Sequence, residues 1–505
     1  MKRKTIYKLL IGLFSLLLLL KISTILFIEP WIGKKVQAQF HEIDSSFVVK
    51  ISDVDILFLT AGVSFENIQI NSKEAADSTQ ELKGEIGNIK FKGINLYKVI
   101  FKREIDILEL IISNGNFIGK TKIPQEERSP VISSANILID KVKIENVDFN
   151  IKKTSSSLTY VLKDGFGNLF NIKISKSDTL SLRRIDSFDF KAEEVISISV
   201  DSLYEYKASG VIYKGSSGKL SMTEFSILPN YNDYDFVAQT KFQTDRIEAT
   251  INNIVINDFN AADYIKSASI ASSYVEIEKI NMEVFRDKRK LFKHQTKPTF
   301  QDLIYNYPGR LNVDSLVLLN GSISYLEHVE DAKKRGKISF EEINARIYKI
   351  SNDTIYKKEL AYLEVKAEAL LMGFSRIEMT LKSKIFDKNN TFSLEGSLAG
   401  MAAKELNPIL ENNAFLSVLT GKIDTMHFNF LATNTKSSGK LTLLYHELNI
   451  DSKVPQKNVI TSVKDMLYKI IARNKILEAN PLPKDQVRAG TIDFERDPER
   501  MDLKQ

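Results

Sequence analysis

The sequence predicts a mainly β protein in which an N-terminal transmembrane helix precedes an elongated, curled antiparallel β-sheet with a few short helices. Three observations support this fold class. One apolar run near the N-terminus is long enough to cross a membrane, most of the remaining chain alternates apolar and polar residues, and few segments have helical periodicity. Because few helices could cover its apolar face, we expect the sheet to curl into a β-groove.

Residues 1–30 are typical of a basic head followed by a membrane anchor. The run at residues 6–28 is rich in Leu, Ile and Phe and spans roughly 35 Å as a helix, enough for a hydrocarbon core of about 30 Å. Lys21 lies off-centre, where its ammonium can reach the interface. The basic head predicts a cytoplasmic N-terminus, with the rest of the chain outside. The anchor residues are Ile6, Leu13, Leu18 and Ile28.

A cleaved signal peptide is the alternative interpretation of this segment. Residues 36–38, Val-Gln-Ala, resemble a processing site. They lie about ten residues beyond the apolar run, and that run is longer than the apolar region of a signal peptide. Both features favour an uncleaved anchor.

The composition excludes several classes of function. The chain has 505 residues and no cysteine, so it has no disulfide, thiolate metal site or thiol nucleophile. The formal net charge is +6, and Lys, Glu and Asp alternate without a long basic block. A solvated polar surface explains this pattern better than nucleic-acid binding does, so we expect no nucleic-acid partner.

Beyond the anchor, the pattern of strands predicts three further regions. The N-terminal part of the β-groove occupies residues 31–300 and begins with a short helix at residues 31–40. A second β-region occupies residues 301–456, and an amphipathic helix with a final strand or tail occupies residues 457–505.

Three strand-like segments resemble one another. Residues 105–115 and 310–321 are apolar strands that reach an Asn-Gly pair, and residues 137–146 form a third copy. Asn-Gly is a strong hairpin-turn signal, so each strand is predicted to end there. The recurrence indicates a sheet extended by duplicated units.

The clearest alternation lies at residues 360–385. Apolar side chains alternate with charged ones on both sides of Gly373, so one face of the predicted strands is apolar and the other is polar and exposed to solvent. The apolar side chains are candidates for the lining of a groove that an apolar ligand occupies. They are Leu363, Val365, Ile377, Met379 and Leu381.

A second apolar stripe predicts an amphipathic helix near the C-terminus, within residues 457–475. Its basic residues lie away from the stripe. We expect this helix to seal the open end of the sheet, and a helix lying on a membrane surface is the alternative. The stripe contains Val459, Val463, Met466, Leu467 and Ile470.

No catalytic motif is found, and we predict a protein that is not an enzyme and needs no cofactor or metal. The five histidines are scattered. His427 and His446 are expected on neighbouring strands, where a cross-strand pair is the simplest interpretation and a metal site would need a third ligand. Adjacent acidic residues such as Glu193 and Glu194 point to opposite faces of a strand, which makes them poor acid/base pairs.

The anchor, residues 53–70 and residues 105–115 resemble the opening of AsmA-like proteins. Later segments are similar to AsmA-like proteins of Bacteroidetes type: residues 284–289, 320–327, and 394–448 with Gly396, Gly421, Gly439 and Tyr445. The resemblance implies an inner-membrane anchor that carries a U-shaped periplasmic β-groove related to bridge-like lipid-transfer proteins. It also implies a further apolar segment after residues 494–497, whereas this chain stays polar to Gln505.

Two functions follow as hypotheses. In the first, the groove binds phospholipid acyl chains and supports lipid transport between membranes or the assembly and homeostasis of the outer membrane. Its partners would be membrane lipids, the inner membrane and envelope proteins. In the second, the same sheet is a closed, non-catalytic scaffold or adaptor of the cell envelope.

Overall fold

The computed structural model describes residues 14–15, 18–19, 21–43, 47–72, 81–102, 104–121, 136–153, 158–174, 187–355, 362–452, 478–482, 486–497 and 499. Most of these residues lie in β-strands, and helices are few and short. The chain divides into two compact units. Unit 1 comprises Met1–Asp201 with Lys207–Ser217, and unit 2 comprises Ser202–Tyr206 with Gly218–Gln505. The region boundary that the sequence predicts at residues 300 and 301 therefore lies inside unit 2.

Unit 1 is built on strands that pair with their neighbours in sequence. The pairs are antiparallel except β4 with β5, which run parallel. The strands are β1 (Phe47–Leu57), β2 (Gly62–Ser72), β3 (Glu81–Ile94), β4 (Glu104–Thr121), β5 (Asn136–Lys153), β6 (Thr159–Ile174) and β7 (Phe188–Ile198), and β8 (Tyr204–Lys214) has residues in both units.

The pairing register of unit 1 places apolar residues side by side. One row crosses all seven strands from β1 to β7 without a polar residue, which gives the sheet one continuous apolar face. Its members are Ile56, Val63, Phe91, Leu110, Val142, Leu169 and Phe188.

Unit 2 is built in the same way from a larger number of strands. Its strands again pair mainly with their sequence neighbours, antiparallel except for the parallel pair β11 and β12. The strands are β9 (Lys219–Pro229), β10 (Asp245–Asn257), β11 (Ile270–Asp287), β12 (Leu311–His328), β13 (Gly336–Ser351), β14 (Leu363–Leu371), β15 (Ser375–Ser383), β16 (Phe392–Leu398), β17 (Met401–Ala402), β18 (Leu416–Ala432), β19 (Lys436–Ser452) and β20 (Gly490–Glu495).

The predicted mainly β architecture is confirmed, and the prediction of a purely antiparallel sheet is wrong at two places. The parallel pairs arise because the repeated segments lie side by side and in phase. Ile105 of β4 pairs with Ile137 of β5, which are equivalent positions of the two copies identified in the sequence.

The short helices cap or flank the sheets. The predicted helix at residues 31–40 is confirmed as Glu29–Ile43, and its Ile32 and Val36 pack against the core of unit 1 around Phe65. Residues 36–38, the candidate processing site, therefore lie within a packed helix. The other helices are Asp233–Ala238, Ala261–Ser267 and Phe300–Tyr305, followed by the helical turns Ala403–Leu406, Asn407–Ile409 and Leu410–Ala414.

Among the residues that the structure describes, no helix combines the length and the apolar character needed to cross a membrane. Of the predicted anchor residues, Ile6 and Leu13 lie outside the described part of the chain. Leu18 and Ile28 are described, and both are exposed. The anchor stays a prediction.

In each unit, several strands contain a single residue with left-handed backbone conformation, at which the strand bends. Such a bend is called a crease below. Asn67, Asn114 and Asn146 in unit 1 have φ of 50°, 56° and 51°, and Asn253 and Asn320 in unit 2 have φ of 49° and 53°. Asparagine tolerates this conformation better than other non-glycine residues. The Asn146 side-chain amide Nδ2 donates to the side-chain oxygen Oδ1 of Asn114 at 3.3 Å, which connects two neighbouring creases.

The creases shift the alternation of side chains. Phe65 and Ile68 are three residues apart on either side of Asn67, yet both are buried in the same cluster. In a regular strand, residues three apart point to opposite faces. The left-handed residue therefore lets an apolar face continue across a break in the period of two.

The expectation that the repeated strands end at Asn-Gly is wrong. Asn114-Gly115 lies inside β4 and Asn320-Gly321 inside β12. A type I′ turn needs positive φ at two successive residues, whereas here the asparagine alone is left-handed. The pair marks a bend within a long strand.

We expect Asn114→Val to destabilise the protein by about 1–2 kcal/mol, since a β-branched residue is strained at positive φ. Asn114→Gly should preserve stability within about 0.5 kcal/mol, because glycine adopts this conformation freely. The midpoint of urea unfolding of the full-length chain, followed by circular dichroism, measures both effects.

Asn116→Val is the matched control, because Asn116 is exposed on the same strand and is not left-handed. It should leave the midpoint unchanged or raise it slightly. Equal losses at positions 114 and 116 would show that the crease does not depend on asparagine.

Candidate functional site

The sheet of unit 2 carries two adjacent apolar rows, each made of residues that are direct register partners from strand to strand. The central row runs from β9 to β19 and the outer row from β9 to β20. Members of the two rows in one strand are two residues apart, so both rows lie on the same face.

Every member of both rows is apolar or glycine. The central row is Met222, Ile254, Ile277, Leu318, Ala345, Ala367, Met379, Gly396, Phe428 and Leu441, and the outer row is Leu220, Ile256, Val275, Leu316, Ile347, Val365, Leu381, Leu394, Phe430, Gly439 and Ile492. The outer row crosses eleven strands, which at about 4.8 Å per strand corresponds to roughly 48 Å.

All five predicted groove residues lie in these rows or directly beside them. Met379 belongs to the central row, and Val365 and Leu381 are mutual partners in the outer row. Ile377 is one position further along, paired with Ala369 and packed within the core clusters of unit 2. Leu363, paired with Ser383, is the most enclosed of the five at 4% exposure.

In the part of the chain that the structure describes, the middle of the apolar face is covered by strand side chains alone. One core cluster consists of Leu318, Ile343, Ala345 and Ala369 with their neighbours, and all its members come from β11 to β15. Helical turns join a different cluster, where Ala403 packs with Leu371 and Leu398. Met379, Ala367 and the outer-row residues of β12 to β15 remain half-buried, whereas Val275 of β11 is buried. Among the described residues, the helical turns thus seal one border of the face and leave its middle as an open apolar strip.

A cavity of about 870 Å³ runs along the central row on the opposite, polar face of the sheet, because most of its lining residues are immediate neighbours of central-row residues and point away from the apolar strip. Seven strands contribute to its wall, from β12 to β19. The lining combines central-row residues such as Ala367, Met379 and Phe428 with charged neighbours such as Arg346 and Lys366. Its volume lies within the range of about 300–1,000 Å³ that is common for small-molecule sites.

The residues between the two rows point to the opposite face and are mainly polar. Ion pairs organise this face: Arg376 Nε lies 2.9 Å from Glu378 Oε1, and Lys382 Nζ lies 3.6 Å from Glu364 Oε1. On β11, the Tyr274 hydroxyl donates to Glu276 at 2.6 Å, and this hydrogen bond is the main reason that the pKa of Tyr274 is raised. The unit 2 sheet is therefore amphipathic across its thickness.

The two histidines expected to pair do not face each other. His427 is opposite Thr442, and His446 is opposite Lys422. The register of β18 and β19 places the partner of His427 four residues from His446, and His446 Nδ1 instead lies 2.9 Å from Asp424 Oδ2. In the part of the chain that the structure describes, no group of three or more His, Asp or Glu side chains could hold a metal ion.

Glu193 and Glu194 interact with different groups, as their alternation predicts. Glu194 forms ion pairs with Lys163 and Lys207, and these hydrogen bonds lower its pKa. Glu193 shares a hydrogen bond with Asp164, which raises the pKa of Glu193. Sequence reasoning missed this carboxyl pair, because only the register of β6 and β7 brings the two residues together.

The proposed C-terminal helix lies outside the described residues, and so do all five residues of its apolar stripe. Structural evidence on the site therefore comes from the sheet itself.

Gly396 is the position of the central row where space is most restricted. A Cβ atom there would lie 2.4 Å from the Glu378 carbonyl oxygen and 2.5 Å from Phe428 Cζ. We expect Gly396→Ala to displace Phe428 and destabilise the protein by about 1–3 kcal/mol. Thermal unfolding of the full-length chain measures the loss.

Gly490→Ala is the control, since a Cβ there would have its nearest contact at 3.4 Å. It should leave stability nearly unchanged. If both glycines tolerated alanine equally, the Phe428 ring would not be held against the backbone of β16.

The chain matches no protein-family model and no curated protein. A function is therefore inferred from the geometry of the apolar rows.

Proposed function

We propose that this protein is anchored in the inner membrane and exposes a periplasmic β-groove that binds lipid acyl chains. The groove would support phospholipid movement between membranes or the homeostasis and assembly of the outer membrane. The observation that carries this proposal is the unbroken pair of apolar rows across unit 2: many of its members are half-buried, and among the described residues no further layer covers its middle.

A long apolar strip suits an acyl chain for a physical reason. Each methylene group removed from water contributes about 0.8 kcal/mol, and the contribution accumulates along the ligand without any directional hydrogen bond. A strip roughly 48 Å long offers equivalent positions in series, so a chain could move along it without losing all contacts at once.

The membrane location rests on the N-terminal sequence and on the resemblance to AsmA-like proteins. The apolar run and the basic head support a single span with a cytoplasmic N-terminus. The structure adds that Lys21 forms ion pairs with Glu29 and Asp55 of unit 1, which keep this residue close to the folded body.

A closed envelope scaffold is the second candidate, and one observation favours it. Ile377 and Leu398 pack with the helical turns at residues 403–414, so part of the apolar face is a sealed core. A ligand would then be unnecessary for stability.

Substitution of Met379 separates the two candidates. In an open groove, Met379→Asp places a carboxylate in the lipid path, so bound lipid should be lost while the unfolding temperature falls only slightly. In a closed core, the buried unpaired charge should cost more than about 4 kcal/mol. Native mass spectrometry of bound lipid and thermal unfolding measure the two outcomes.

Lys382→Asp is the control, since Lys382 is exposed on the opposite face. It should retain both lipid and stability. Collapse of Met379→Asp, together with an unmodified protein that never carries lipid, would refute the groove and leave the scaffold.

We also expect the body to lie outside the cytoplasm. A reporter that is active only in an oxidising compartment, fused after Gln505, should be active, and a cytoplasm-only reporter at the same position should be silent. The reverse pattern would contradict the predicted topology.

A further inference from the structure

One end of the unit 1 sheet exposes a group of large apolar side chains. The turn Phe58–Thr60 joins β1 to β2, and the segment at residues 95–103 joins β3 to β4. The Ile94 amide donates to the Ala61 carbonyl oxygen at 2.9 Å, so the two connections lie side by side. Their exposed apolar residues, here named the end patch, are Phe58, Leu59, Leu96, Tyr97, Ile100 and Phe101.

The exposure of the end patch is unusual. Leu59 is completely exposed, and Ile100 and Phe101 are 67% and 71% exposed. Single exposed apolar residues are normal on protein surfaces, but a contiguous group of large ones marks an interaction site.

The longer connection is structured, so it presents these side chains in a fixed arrangement. Its π-helical turn Lys98–Lys102 begins where the Lys98 and Val99 amides donate to Asn95, at 3.2 and 3.1 Å. Lys98 also forms an ion pair with Asp106 of β4. The rings of Tyr97 and Phe101 lie 5.1 Å apart at the outer surface of the turn.

The N-terminal helical segment leaves unit 1 at this same end. Glu29 Oε1 accepts from the Ile56 amide and Gln37 Nε2 donates to the Ile51 carbonyl, so the helix runs antiparallel to β1. Towards lower residue numbers it passes the end patch, where Lys21 Nζ lies 5.9 Å from the Phe58 ring centroid.

The apolar surface continues from the end patch onto this segment, whose exposed residues include Ile22, Ile25, Leu26 and Phe27. The mixture of aliphatic, Tyr and Phe side chains with Lys21, Lys98 and Lys102 is typical of protein surfaces that lie at the membrane interface. Lysine can keep its ammonium at the headgroups while its stem covers apolar surface.

We propose that the end patch inserts into the surface of a lipid bilayer beside the N-terminal segment. The two connections would be buried at the level of the headgroups and upper acyl chains, and the strands of unit 1 would rise from the membrane. This inference goes beyond lipid binding by the groove and does not depend on it, because it concerns a different unit and a different surface.

Tryptophan fluorescence tests this directly in the full-length chain. Trp31 is the single tryptophan of the sequence, so Trp31→Phe removes the native tryptophan fluorescence. Leu59→Trp and Ile100→Trp then place one reporter on each connection. Both sites are exposed, so the substitutions should not disturb folding, and circular dichroism verifies this.

The matched control is Ile118→Trp. Ile118 is also exposed but lies 14 residues beyond Glu104 on β4, roughly 45 Å from the end patch. It also points away from the apolar face that contains Phe117. It should therefore report neither membrane insertion nor lipid in a groove.

The proteins are reconstituted in phosphatidylethanolamine and phosphatidylglycerol vesicles, with and without brominated acyl chains. At Leu59→Trp and Ile100→Trp we expect blue-shifted emission and loss of about half the fluorescence or more to bromine, because interfacial groups sit about 5–10 Å deep. Ile118→Trp should show emission typical of water and no quenching.

Water-like emission at positions 59 and 100, or equal quenching at all three positions, would overturn the proposal. Blue-shifted emission that bromine does not quench would also overturn it, since the end patch would then be covered by protein. Failure of lipid binding in the Met379 experiment leaves these outcomes unchanged, so the two proposals fail separately.

Discussion

The strand register is the constraint on which the rest of this structure depends. Side chains alternate between the two faces of a strand. A slip of one residue in the pairing of two strands would therefore move the apolar row of all following strands to the polar, solvent-exposed face. The apolar rows hold across eleven strands in unit 2 because the register is regular where the rows cross, and the β-bulges of the β12–β13, β13–β14 and β18–β19 pairs lie outside them. Backbone hydrogen bonds and side-chain burial therefore specify the same alignment.

The left-handed asparagines reconcile long strands with this constraint. Strands such as β4 and β12 each contain 18 residues and must bend and twist. After a single residue at positive φ, the side chains that pointed to one face of the sheet point to the other. Asn114 of β4 and Asn146 of β5 make this change side by side, and a hydrogen bond joins their side chains. Apolar surface then continues on both sides of the crease.

Much of this fold could be predicted from alternation. The apolar positions at Val365, Met379 and Leu381 are placed on one face as the period of two requires. The recurrence of residues 105–115 at residues 137–146 also has structural meaning, since the two copies pair in phase. The prediction that the strands end at Asn-Gly was wrong, because this pair occurs both in hairpin turns and at bends within a strand. Which of the two forms depends on the strands that pack beside it.

The functional surface was less accessible to sequence reasoning. Alternation shows which residues share a face, but the choice between an open strip and a sealed core depends on what packs above them. Met379 and Ile377 are two residues apart with equal apolar character, yet Ile377 packs within core clusters and Met379 is a half-buried member of the central row. Likewise, the end patch combines two connections that are far apart in sequence, and no single segment of either has a membrane signature.

The pairing of strands with their immediate neighbours in sequence has a consequence for how the chain folds. Nearly all long-range order is assembled from contacts between adjacent segments, so the entropy of closing large loops is small at each step. A growing sheet can add each strand as it emerges during synthesis from the N-terminus, and stability resembles a sum of nearest-neighbour terms. The last described strand, β20, contributes a small term because it has only six residues and pairs with β19 alone among the described strands. Fraying should therefore begin at β20, and the sheet of unit 2 should open from that border inward.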